Sequence, residues 1–177
     1  MAVGYLAQVQ ALIAQRMKEN PEEMKRKLKE IERAKKAPKA PPKPLIDPKL
    51  TQELIEELNK GGELDIQVVK DLIKRGADIK AKDEAETTVL HRASYFGDME
   101  LVKECLQAGL DANPKTNYGE TPLHWAALRN NVEIAKLLIA SGSDVSAKGR
   151  NGETPLRWAN WVKSNEVATL LREHGAK

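Results

Sequence analysis

The sequence predicts an all-α solenoid, with paired helices repeated along the chain, short β-hairpin or turn tips between the pairs, and an N-terminal helical arm. Two observations carry this. Thr121-Pro122-Leu123-His124-Trp125-Ala126-Ala127 has siblings 33 residues away on each side, at Thr88-Val89-Leu90-His91-Arg92-Ala93 and at Thr154-Pro155-Leu156-Arg157-Trp158-Ala159. Gly76, Gly109, Gly142 and Gly175 keep the same 33-residue beat. A fixed period of this size marks supersecondary units that bury their apolar faces on one another.

Taken in order, Tyr5, Leu6, Val9, Leu12, Ile13 and Met17 are spaced by threes and fours and draw a stripe along one helical face. Asn20-Pro21-Glu22-Glu23 reads as a cap, a first-turn proline and acids at the positive end of a second helix. That helix carries Met24, Leu28 and Ile31 among many Lys and Arg residues, and residues 1–36 form a basic helical arm. Neither arm helix has the apolar surface to stand alone, so the stripe is expected to dock, on a partner or on the repeats. Residues 37–48 hold five prolines and make a stiff linker. The PxxP pattern within them reads as linker, since Lys/Pro segments match such patterns often.

The repeat domain spans residues 49–177, divided at about 49–82, 83–115, 116–148 and 149–177. Asp47-Pro48 caps and starts the first helix, and Gly76 closes the second. About two extra residues near 61–64 make the first repeat degenerate, as befits a terminal unit. The second repeat departs from its siblings at Val89, in place of proline, and at Glu86, in place of the tip glycine, so a less regular tip is expected there. The fourth has Arg157 for histidine and Lys163 for glycine, and reads as a C-terminal cap.

A 33-residue period with Thr-Pro-Leu-His opening a helix resembles the ankyrin repeat, from about residue 50 to the end, and residues 117–149 match best. The resemblance implies a binding scaffold and no single ligand. It implies that His124 hydrogen-bonds between adjacent loops. It also implies a concave face built from the tips and the two residues after each first helix's small residues. Carried over position by position, the candidate partner-binding residues are Tyr95, Phe96, Tyr118, Leu128, Arg129, Arg150, Trp161 and Val162. They include the one Phe of a chain that is only 4% aromatic. Trp125 and Trp158 sit one turn earlier and are expected half-buried, with Arg92 stacked on Trp125.

Composition narrows the remaining classes. The net charge of +3 divides into +6 for residues 1–44 and −3 for the rest, so the basic character belongs to the arm. A single cysteine, Cys105, excludes an intrachain disulfide and occupies a core position. The N-terminus lacks the pattern of a secretory signal or a membrane span. Intracellular placement is expected, cytoplasmic or nuclear, with a mitochondrial site as the alternative. No histidine has a second ligand at metal spacing, no base attends Cys105, and no glycine loop cradles phosphate. No catalytic residue, metal or cofactor is therefore expected.

The function expected is a non-catalytic protein-interaction scaffold, with the arm as a second docking element. Two alternatives stay open. The arm covers the apolar strip within the chain, or the chain is a structural subunit of a large assembly, RNA-containing or organellar, whose arm threads along neighbours. Aromatics for base stacking are absent from residues 18–43, so a nucleic-acid contact through the arm would be electrostatic.

Overall fold

The structure is a computed structural model that describes residues 21–23, 25, 26, 29 and 46–177. The arm stripe Tyr5, Leu6, Val9, Leu12, Ile13 and Met17 lies outside the described residues. The chain separates into two units, residues 1–43 and 44–177. In the first, the described residues are helical and exposed, and Lys25 pairs with Glu22 at 3.2 Å.

The second unit is four helix pairs: α1 (Pro48–Asn59) with α2 (Ile66–Arg75), α3 (Val89–Phe96) with α4 (Met99–Gln107), α5 (Pro122–Leu128) with α6 (Val132–Ala140), and α7 (Pro155–Trp161) with α8 (Asn165–Glu173). Local chemistry sets where each begins. The Asp47 carboxylate accepts from the Lys49 and Leu50 amides ahead of Pro48, and Asp98 accepts from Leu101 N at 2.9 Å. Thr88 and Thr121 each form a reciprocal capping pair with the histidine three residues on. The extra residues of the first repeat form a single 3₁₀ turn, Gly61–Glu63.

The first helices α3, α5 and α7 stack in one row, and α4, α6 and α8 in a second row behind them. Leu54, Leu58, Val69, Leu90, Leu101, Leu123, Leu138 and Leu171 are fully buried between them, and Ala93, Ala126 and Ala127 let the helices close in. Polar groups tie consecutive repeats. Asn131 Nδ2 donates to the carbonyls of Ser94 and Tyr95 at 2.7 and 3.3 Å, satisfying the end of α3. Ser143 Oγ donates to Ala112 O, and Lys70 Nζ reaches Asp98 and Glu100 from α2.

The tips are turns. Among the described residues the strand-like pairing is one isolated antiparallel bridge, Lys82 with Thr88. Each tip crosses itself in the same way, through Asp83 N to Thr87 O, Thr116 N to Glu120 O and Gly149 N to Glu153 O. Neighbouring tips join through Asn117 N to Ala85 O at 2.9 Å and Arg150 N to Tyr118 O at 2.6 Å. A Cβ on Gly119 would meet the Gly149 and Arg150 backbone at 3.2 Å, so this approach requires glycine.

The second tip corrects the expectation of irregularity. Glu86 takes the left-handed conformation of its glycine siblings, with φ 62° against 75° at Gly119 and 77° at Gly152, and the tip keeps their hydrogen bonds. The departure is absorbed as backbone strain, not as a different turn. Glu86→Gly is therefore expected to stabilise the domain by about 0.5–1 kcal/mol, the strain relieved less the extra chain entropy of glycine. The half-exposed Lys82–Glu86 pair that is lost weighs little against this. A rise in urea midpoint at constant slope is the readout, and an unchanged or lower midpoint would refute the strain argument.

Candidate functional site: tips, first-helix ends and a cleft

Each repeat delivers three columns of side chains to the edge where the tips meet the first helices. The innermost is His91 and His124, both fully buried. His91 Nδ1 accepts from Thr88 N at 3.2 Å, which leaves Nε2 protonated to donate to Glu120 O at 3.1 Å in the next tip. His124 repeats this with Thr121 N at 3.1 Å and Glu153 O at 3.1 Å. Burial pushes the His91 imidazole down to about 4, helped by the nearby Arg92 charge, and lowers His124 as well. In the fourth repeat Arg157 stands at this position and is exposed.

One turn along lies the column Arg92, Trp125 and Trp158. Arg92 Nη2 donates to Leu58 O at 2.7 Å and to Asp83 Oδ2 at 3.2 Å, and its guanidinium lies 5.1 Å from the centroid of Trp125. Trp125 Nε1 donates to Glu120 Oε2 at 3.1 Å. The indoles meet the histidines edge-on, His91 to Trp125 and His124 to Trp158, both at 5.3 Å. With Tyr95, Leu128, Glu120 and Gly62, this column lines a cleft of about 280 Å³.

The outermost column holds the helix-end residues. Tyr95 sits edge-on to Phe96 at 5.1 Å and to Trp125 at 5.9 Å, and Arg129 lies 4.8 Å over its ring. At the tips, Arg150 lies 6.0 Å from the Tyr118 ring.

A family model described as "Ankyrin repeats (3 copies)" matches residues 58–149, just over half of the chain. The chain belongs to the ankyrin-repeat family. Its ankyrin repeats make it a protein–protein interaction domain, of a family that is generally non-catalytic. The comparison with curated proteins gave no significant match.

Of the residues chosen from the ankyrin resemblance, the fold brings Tyr95, Phe96, Leu128 and Arg129 to one end of the cleft or onto a cleft residue, and pairs Tyr118 with Arg150. Trp161 and Val162 are exposed at the end of α7 and do not line the cleft. Sequence reasoning missed Arg92, Glu120, Trp125 and Trp158 as cleft-lining groups. Their signal was present, since Arg92, Trp125 and Trp158 share one position of the 33-residue ruler. Cys105 is buried, and burial pushes its thiol up to about 12, far from nucleophilic use at neutral pH. Among the described residues no cluster of three potential metal ligands occurs, and no helix is long and apolar enough to cross a membrane.

Proposed function

We propose that the chain is a non-catalytic scaffold whose ankyrin domain, residues 49–177 in four repeats, holds a protein partner on the face of tips and first-helix ends. The face corresponds to the concave surface of the family, and the basic arm is a second docking element. The observation that carries the reading is the exposure of large apolar side chains there. Phe96 is 37% exposed, Tyr118 56% and Trp161 78%, and Phe96 packs on Tyr95 of a cleft with room for one large side chain. Exposed aromatics beside a preformed cleft are the ordinary make-up of a binding hot spot.

A partner seated across this face would bury on the order of 800 Å² on each side. Phe96→Ala with Trp161→Ala is expected to abolish partner capture in a pull-down with the full chain. Neither residue is in the core, so the melting temperature is expected to stay within about 2 °C. Capture that survives the double change would place the interface elsewhere.

A second reading, a subunit of a large assembly, draws on the +6 charge of residues 1–44. Retention of RNA at low salt, lost at moderate salt and on removal of the arm, is its expected mark.

A further inference from the structure

We propose that the partner segment held on the ankyrin face is acidic, its carboxylates meeting Arg129 and Arg150 while an apolar or aromatic side chain fills the neighbouring cleft. The inference rests on the reading above and deepens it by naming the chemistry of the partner.

Both guanidiniums are exposed, and neither is within ion-pair distance of a carboxylate among the described residues. Each is held instead over an aromatic ring, Arg129 over Tyr95 and Arg150 over Tyr118. Stacking occupies the face of a guanidinium and leaves its N–H edge free. It also reduces the rotamer freedom that a two-pronged bond to carboxylate would otherwise have to remove.

The carboxylates closest in sequence register are already engaged. Glu120 accepts from the Trp125 indole, and Glu153 accepts from Asn151 N at 3.1 Å; its own backbone N–H, and then Asn151, hold its carboxyl below the usual range. Both keep their charge, and neither pairs with Arg129 or Arg150. At the opposite end of the face Glu84 is exposed and without an ion pair among the described residues. Arg129 and Arg150 are thus exposed cations of the third and fourth repeats without an ion pair among the described residues, and Glu84 is an exposed anion of the second. An acidic segment is favoured over the third and fourth repeats and opposed at the second. A phosphate backbone fits less well, because its charge is uniform and would run onto Glu84 and Glu120.

Selection of a random 12-residue peptide library on the full-length protein tests this, followed by fluorescence anisotropy of the recovered peptides. Recovered peptides are expected to be enriched in Asp and Glu and to carry an aromatic or Leu. Their affinity is expected to fall by about tenfold or more in Arg129→Glu/Arg150→Glu and to weaken as salt rises. Arg129→Gln/Arg150→Gln gives the same test without charge reversal, with circular dichroism checking the fold of both. Basic or neutral peptides, no recovered peptide, or affinities untouched by either variant would overturn the proposal. If those peptides are still lost in Phe96→Ala/Trp161→Ala, the binding face stands and only the acidic chemistry fails. If no substitution on the face matters, both fail. Binding of a 20-nucleotide oligouridylate that depends on Arg129 and Arg150 would assign the two cations to phosphate instead.

Discussion

Lowering the pH from 6.5 to 4 is expected to remove about 3 kcal/mol of stability through His91 alone. The imidazole is fully buried, and its Nδ1 accepts from Thr88 N, so a proton there replaces an acceptor with a second donor facing an N–H. Desolvation holds the folded pKa near 4, against 6.5 for the free side chain. The unfolded chain therefore takes up the proton first as pH falls. The stability is complete above pH 6.5, declines through the interval, and the decline ends near pH 4 where the folded form protonates too. His124 is lowered for the same reason and adds in the same direction. Carboxylates of ordinary pKa, near 4.3, contribute little above pH 5. Urea unfolding between pH 6.5 and 5 therefore isolates the histidines. A slope steeper than about 1.4 kcal/mol per pH unit means that more than one proton is taken up. A flat profile in this window would contradict the assignment, as would an unchanged slope in His91→Gln/His124→Gln.

Arg92→Ala is expected to cost about 3 kcal/mol, or roughly 10 °C in melting temperature for a domain of this size. One side chain joins three elements. It donates to the end of α1 at Leu58 O, pairs with the buried Asp83 in the second tip, and covers the indole of Trp125 in the third repeat. Its removal strands a buried carboxylate and a helix-end carbonyl together. Asp83 keeps the amides of Ala85 and Thr87, which sets the loss below that of an isolated buried charge. Arg92→Lys keeps the charge but cannot reach Leu58 O and Asp83 at once, so less than half the loss is expected to be recovered. Calorimetry of both variants decides it, and a loss under 1 kcal/mol in the alanine variant would show that the three contacts are not coupled.

The repeat architecture was legible because its causes are local. Asp47, Thr88, Thr121 and Thr154 announce helix starts by their own side chains, and the 33-residue ruler places every later residue by its siblings. Glu86 shows where local reading stops. A missing glycine signalled a changed turn, but neighbouring tips hold the backbone and the residue bears the strain. The helix-end candidates came from position in the ankyrin resemblance, and of them Tyr95 and Leu128 line the cleft while Trp161 and Val162 do not. The cleft did not follow from position, because whether Trp125 and Trp158 are covered depends on Arg92, Glu120 and the turn at Gly62, groups brought together from three repeats. The partner of Arg92 at Leu58 belongs to the degenerate first repeat, where no motif marks it.

Beside the neutral side-chain and tip hydrogen bonds, the bonds between repeats differ in charge from one junction to the next. The first and second repeats are joined by charge, through Arg92 and through Lys70 with Asp98 and Glu100. The second and third, and the third and fourth, are joined by uncharged imidazoles that reach forward to the next carbonyl. The stack is thus two segments with different solvent sensitivities. Acid attacks the C-terminal junctions and leaves the N-terminal pair joined, whereas concentrated salt weakens the N-terminal junction and leaves the histidine bonds intact. A repeat array couples only nearest neighbours, so each condition opens the array at its own seam. Mild acid is therefore expected to weaken the junctions of the third and fourth repeats, which carry Arg129 and Arg150, before that of the first two.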